Sequence, residues 1–244
     1  MPGLNEMIGT AKAAKDQVDV ILLKAIVSDS GEARVAASLC LSIAEQFSAA
    51  ILLIEGHHSA QAAIIVRSML EGLADLLNLV RDPKHLDQMR FENARSDVVL
   101  FEGFVDDNSI REDLTAIKTL NEWRAKALPI RDQLRSKGLR HQQVEQKFKA
   151  AGIQSEYIAY RVFCSFAHNQ LTTLIARHAG PAVLRYHGDV PEETIKSILS
   201  VALAILCKAI NALPKFTDVE ALEVTTTLDR IDVIWGRLDN NLAR

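Results

Sequence analysis

Apolar residues recur at steps of three and four along almost the whole chain, the period of a helix that lies against a core. Short polar runs containing Gly or Pro interrupt the pattern and divide it into segments. Residues 4–27 read as a first amphipathic helix, closed by Ser28-Asp-Ser-Gly31. Ser30 precedes a long apolar run and is placed to cap a second helix through residue 54, because its hydroxyl can accept an unpaired first-turn N–H. Glu55-Gly-His-His58 ends that helix. Ser59 is placed to cap a third, which reaches residue 80 and stops at Arg81-Asp-Pro83. Two more charged helices follow at 84–104 and 109–137, the second with a kink expected at Pro129. A short helix at 141–151 precedes a long one at 156–178, which ends at Gly180-Pro181.

The segment 182–187 is the one place that reads as extended. Pro191-Glu-Glu then opens another helix, with a first-turn proline and two acids at the positive end of the helix dipole, running to about residue 213. In the last helix Val224, Leu228, Ile231, Trp235 and Leu238 alternate steps of four, three, four and three, which makes a packing seam. No internal repeat and no low-complexity linker divides the chain. The expected fold is all-α: a single helical domain over residues 1–244, built from eight or nine helices.

Composition adds limits. Apolar residues make up 48% and charged residues 24%, ordinary for a globular protein. A net charge of −3 argues against bulk attraction to nucleic acid, so any phosphate contact must come from a local cluster. One basic concentration exists, Arg124, Lys126, Arg131, Arg135, Lys137, Arg140 and His141, and it reads first as the exposed side and C-terminal end of a long helix. Cys40, Cys164 and Cys207 are odd in number, far apart and set in apolar runs, which fits small core residues in a reducing compartment. The apolar stretches 47–54 and 198–207 fall short of the ~20 residues that span a bilayer, and no secretion signal is visible. A cytoplasmic protein without a membrane partner is expected. Glu55-x-x-His58 has the spacing of a di-iron ligand pair, but those sites need a second copy and two further glutamates. Walker and Gly-x-Ser-x-Gly motifs are absent. No metal and no cofactor are expected.

The most informative stretch is Arg161-Val-Phe-Cys-Ser-Phe-Ala-His168. Continuous helix would put Arg161 and His168 about two turns apart, roughly 10 Å along the axis, on one face with Tyr157, Cys164, Ser165 and Thr172. Phe163, Phe166 and Leu174 point the other way as anchors. A permanent guanidinium beside an imidazole that exchanges protons near neutrality suits chemistry on a phosphate. It equally suits a polar pair that is solvated or hydrogen-bonded within the bundle. On the third helix, Arg67, Ser68, Glu71, Asp75 and Asn78 form a polar arc on an otherwise apolar cylinder. Glu71 is the natural partner of Arg67, and the pair is expected to face the 157–172 segment, since an unpaired buried charge costs several kcal/mol.

Arg161, a helical spacer and His168 together resemble the signature of the HEPN superfamily of helical nucleotide-binding proteins, many of them metal-independent endoribonucleases of toxin–antitoxin and other defence systems. Arg67-Ser-Met-Leu-Glu71 followed by Ser165-Phe-Ala-His168 is also similar to a family of uncharacterised bacterial helical proteins, over about residues 35–215. The resemblance implies a defence or toxin-type protein with RNA as substrate, an antitoxin or other regulatory protein as partner, and a homodimeric state. His168 would serve as general acid or base and Arg161 would hold the phosphate charge, while Arg67, Glu71, Tyr157 and Ser165 support them. The alternative is a non-catalytic helical binding or scaffold protein, whose polar cluster holds the bundle together.

Overall fold

The computed structural model describes residues 3–106, 113–168, 170–180, 183–185 and 190–240. The fold is all-α, and 81% of the described residues are helical. Among the described residues the helices number ten: α1 (Leu4–Leu22), α2 (Gly31–Glu55), α3 (Ser59–Arg81), α4 (His85–Asp106), α5 (Leu114–Ser136), α6 (Val144–Ala150), α7 (Glu156–Ala167), α8 (Leu171–His178), α9 (Glu192–Asn211) and α10 (Ala221–Asn240). A 3₁₀ turn, Leu213–Lys215, joins the last two. Among the described residues, pairing of extended backbone is confined to isolated bridges, Val27 with Thr217 and Ala179 with Leu184. Ala182, Tyr186 and His187 of the segment expected to be extended lie outside the described residues.

Eight or nine helices is therefore a count to correct. The segment 156–178 forms two helices, with the break after Ala167. The apolar period runs across this point, but His168-Asn-Gln170 offers no apolar side chain to bury, and His168 and Asn169 have weak helix propensity. The first helix is also shorter than its periodicity, ending at Leu22 rather than near Val27. Beyond it the backbone pairs with a distant segment: Ile26 N–H donates to the Asp218 carboxylate, Asp218 N–H to the Ile26 carbonyl and Ser28 N–H to the Phe216 carbonyl. The cap expected at Ser30 is present. Ser30 accepts from Ala33 N–H at the start of α2, and Pro129 lies inside an unbroken α5. Ser59, expected to cap α3, is instead its buried first residue, and the preceding His58 carbonyl accepts the first N–H groups of that helix.

The chain gathers into two compact units: Asp82–Gln146 form one, and the described residues on either side form the other. In the smaller unit α4 packs on α5 through Ala94, Val98, Ala127 and Leu128, with the Phe101 and Trp123 rings 5.8 Å apart. In the larger unit α3 touches α2, α7 and α9, and α1 lies on α10. Met69, Leu70, Leu73 and Leu76 of α3 are wholly enclosed, as are Phe47 of α2 and Leu199 and Leu206 of α9. Val224, Ile231 and Leu238 of α10 are buried along the seam read from the sequence.

Helices α2 and α9 are long and apolar enough to cross a membrane by length and composition, yet 44% and 56% of their most apolar stretches are buried inside the fold. Cys40 and Cys207 carry thiols pushed up to about 12 by burial, with Asp232 adding to the effect at Cys207. These are packing residues.

Truncating Leu73 to Ala should lower the free energy of unfolding by about 2–5 kcal/mol, since it removes enclosed carbons and leaves a cavity. Leu222→Ala, at a side chain that is 74% exposed, should change it by less than about 0.5 kcal/mol. Urea titrations of the two variants check both values.

Candidate functional site

The polar arc of α3 is a docking seam. The segment leaving the smaller unit lies along it, and each polar side chain of the arc meets a partner in register. Arg67 reaches α7, where its Nε–H donates to Cys164 Sγ at 3.2 Å and an Nη2–H to Tyr160 Oη at 3.0 Å. The same Nη2 lies 2.9 Å from Glu71, one turn along α3. One turn further, the Asp75 carboxylate accepts from Lys147 Nζ at 2.9 Å. Asn78 donates from Nδ2 to the Lys147 carbonyl at 3.0 Å. Arg81 then donates to the carbonyls of Ala150 and Ala151, at the end of α6. Ser68 faces α2 instead and accepts from Gln46 at 3.2 Å.

Gly152 is required where α6 turns into this seam. Its φ of 72° lies in the left-handed region, and a Cβ there would come within 2.9 Å of Arg81 Nη2.

Aromatic rings fill the space between α6 and α7. Tyr157 stacks on Tyr160 with centroids 5.7 Å apart and planes at 16°, and Phe148 lies 5.3 Å from Tyr160 and 5.8 Å from Tyr157. The Arg67 guanidinium carbon sits 5.1 Å from the centre of the Tyr160 ring. Lys208 of α9 pairs with Glu156 at the first turn of α7. Together these contacts fix both the start and the buried side of α7.

The electrostatics follow from this enclosure. Burial opposes the charge of Arg67, but hydrogen bonds to Tyr160 and Cys164 and the charge of Glu71 outweigh it and push its pKa up. Burial also lifts the Tyr160 hydroxyl from 10.0 to about 12; the hydrogen bond from Arg67 opposes the rise, and the Glu71 carboxylate reinforces it.

The outward side of α7 is different. Arg161 and Val162 are exposed, and Ile158 is 72% exposed, whereas Tyr160 and Phe163 on the opposite side are buried. His168 caps the C-terminus of α7, its backbone N–H on the Cys164 carbonyl, and its ring is exposed. Arg161 and His168 thus stand one inside the helix and one at its end, and Thr172 belongs to α8. Ser165 donates to the Val162 carbonyl at 2.6 Å, a bond back into its own helix. Tyr157 is a wall of the aromatic cluster and half-buried.

The sequence-predicted residues therefore fall into two groups. Arg67, Glu71 and Tyr157 belong to the seam and its aromatic packing, while Arg161 and His168 face solvent. Sequence reasoning missed Tyr160, Lys147 and Phe148. A signal for Tyr160 was present: it lies four residues before Cys164, on the same side of the helix.

Four of the seven basic residues around α5 are met by acids of their own unit, Arg124 by Glu102 at 3.2 Å, Arg131 by Asp132, Lys137 by Asp87 at 3.8 Å and His141 by Glu92 at 2.9 Å, and Arg140 donates to the carbonyls of Arg135 and Leu139. This neutralisation fits a solvated helix side better than a phosphate-binding strip. Among the described residues no group of three or more His, Cys, Asp or Glu is placed to hold a metal ion. Glu55 of the Glu-x-x-His sequence pairs with Lys12 at 2.8 Å.

Besides the proton of Arg67, which titrates far above this range, those of Tyr160, Cys40 and Cys207 are held more tightly in the fold than in the unfolded chain. The folded chain then binds more protons than the unfolded one between about pH 9 and pH 12, so stability falls as pH rises through that window. Urea midpoints should stay level just below pH 9 and decline above it. In Tyr160→Phe the decline between pH 10 and pH 12 should be shallower. Loss of the hydroxyl should also cost about 1 kcal/mol at neutral pH, because Arg67 loses an acceptor.

No curated protein and no solved structure matches the chain. Residues 33–181 do match a family of unknown function, DUF5677. The match runs from α2 through α8 and includes both the seam and the outward side of α7, leaving α1, α9 and α10 outside it. Because it covers more than half of the 244 residues, the chain belongs to the family of unknown function DUF5677.

Proposed function

We propose that this protein is a HEPN-like protein of bacterial defence or toxin type that acts as a metal-independent endoribonuclease through Arg161 and His168. The observation that carries the reading is the division of α7 into an anchored side and an exposed one. Tyr160 and Phe163 are buried, with Arg67 holding Tyr160, while Arg161 and His168 are both open to solvent. A reactive pair needs this combination, a rigid base and an accessible surface.

The chemistry uses the residue types present. His168 takes the proton from an RNA 2′-hydroxyl, whose oxygen attacks the adjacent phosphorus. Arg161 holds the charge that builds on the non-bridging oxygens. The bond from phosphorus to the 5′-oxygen breaks, and that oxygen takes up a proton. The products are a 2′,3′-cyclic phosphate and a 5′-hydroxyl, with no metal and no cofactor in the balance. RNA is the substrate, an antitoxin or other regulatory protein the natural restraint, a homodimer the working form and the cytoplasm the compartment. A net charge of −3 requires that phosphate affinity be local, and on α7 it rests on Arg161.

A second reading, a non-catalytic binding or scaffold protein, draws support from the seam itself. Arg67 meets Glu71, Tyr160 and Cys164 within the bundle, so its charge has a structural use without any ligand.

The test is incubation of purified protein with mixed single-stranded RNAs, with and without EDTA, followed by analysis of the cleaved ends. Cyclic-phosphate ends, formed at the same rate with chelator, are expected. His168→Ala should slow cleavage by about 10²-fold or more, as loss of a general acid–base group does. Arg161→Lys should also slow it, since an ammonium cannot reproduce the planar fork. No cleavage beyond that of His168→Ala would leave the scaffold reading standing.

A further inference from the structure

We infer that the groove between α1 and α2 docks a short basic amphipathic helix from a partner protein. The two helices run antiparallel, with the Lys12–Glu55 ion pair joining them at one end and Leu22, Leu23 and Leu41 lining the groove toward the other. The space between them has a volume of about 400 Å³. Leu22, Leu23, Leu41 and Leu52 line it with Ala44 and Ala49. Ala44 is buried, and small side chains at a helix surface let a third backbone approach closely.

The apolar surface here is unusually open. Leu23 is 88% exposed, Leu52 63% and Leu41 47%. Helix α2 is apolar enough to pass for a membrane span, yet more than half of its most apolar stretch is not buried. Contiguous apolar surface of this kind marks a site that something covers.

Geometry and charge together select the occupant. From Lys12 to Leu23 the groove runs about 16 Å, three turns of helix. A trough between two antiparallel helices is the shape a third helix fills by ridge-and-groove packing. Three charged side chains line it. Lys15 is tied to Asp19 on its own helix, whereas Glu45 of α2 has no hydrogen-bond or ion-pair partner among the described residues. The lining therefore carries a net charge of −1: Lys15 against Asp19 and Glu45. A second copy docking face to face across a two-fold axis would bring together two linings that each carry a net charge of −1. Anionic lipid would be repelled in the same way. A helix with an apolar stripe and a Lys or Arg opposite Glu45 satisfies both the leucines and the carboxylate.

The experiment uses the full-length chain and two fluorescein-labelled synthetic peptides. Each is a Leu/Ala amphipathic helix of about 14 residues, one with Lys flanking the apolar stripe and the other with Glu in its place. Fluorescence anisotropy should show the Lys peptide binding with a Kd on the order of micromolar, and the Glu peptide at least about tenfold more weakly. Leu52→Asp should weaken the Lys peptide about tenfold or more, and Glu45→Lys should reverse the preference between the two peptides. Both positions are exposed, so circular dichroism should match the parent protein. Equal binding by Leu52→Asp, or an unchanged preference in Glu45→Lys, overturns the proposal. So does a wild-type protein that self-associates through this face, seen as a dimer that Leu52→Asp converts to a monomer in light scattering.

Discussion

The seam along α3 is the constraint on which the rest of the larger unit depends. A helix enclosed on its other faces by α2 and α9 can carry Arg67, Glu71, Asp75 and Asn78 only if each finds a partner, because a polar group buried without one costs several kcal/mol. The partners are supplied by a segment that returns after Asp82–Gln146 have folded away as a unit of their own. Arg67, Glu71, Asp75 and Asn78 span about 16 Å of α3, and α6 and α7 are placed against that length by Lys147, Tyr160 and Cys164. Hydrogen bonds specify such a register better than apolar contact does, since a shift of one residue along the helix would break all of them together. The orientation of α7 follows, and with it the side on which Arg161 is exposed.

Two arginines of the same chain illustrate how environment decides use. Arg67 lies against a tyrosine ring, a thiol and a carboxylate, and its charge is balanced inside the fold. Arg161, on the helix that Arg67 helps to hold, stands on the exposed side next to Val162 and one turn from Ile158. The first arrangement provides rigidity, and the second places a cation where a phosphate can approach. Removal of the Tyr160 hydroxyl and removal of the His168 imidazole therefore test different things, the seat of α7 and the chemistry proposed for its outer side.

Helical period and caps were enough to place most of the elements. Ser30 before α2 and Arg81-Asp-Pro83 after α3 are local signals, and local structure obeys them. The break after Ala167 was hidden because Phe163, Ala167, Leu171 and Leu174 keep the apolar period across it, and only the weak helix propensity of His168 and Asn169 betrays it. The early end of α1 was hidden for another reason. Ile26 and Ser28 bond to Asp218 and Phe216, on the far side of the chain, and no local window contains that information. The polar arc on α3 was visible, as was its pair Arg67 and Glu71. Its further partners were less so. Tyr160 counts as apolar in a periodicity, and Lys147 looks like one surface lysine among several until its ammonium is found on Asp75.

Helices α2 and α3 lie side by side and depart from ordinary amphipathicity in opposite directions. On α3 polar residues point inward, and the fold answers every one of them with a partner from its own chain. On α2 apolar residues point outward, and nothing among the described residues fully covers Leu41 and Leu52. Internal satisfaction explains the first departure completely, so the arc by itself is no evidence of a ligand, however suggestive Arg67 and Glu71 look in the sequence. It cannot explain the second, because exposed leucines gain nothing from their own fold, and burying each would be worth about 1.5–3 kcal/mol. The same two rules, that polar groups need partners and apolar surface needs cover, thus assign the inward arginine to architecture and turn the search for a partner toward the outward leucines.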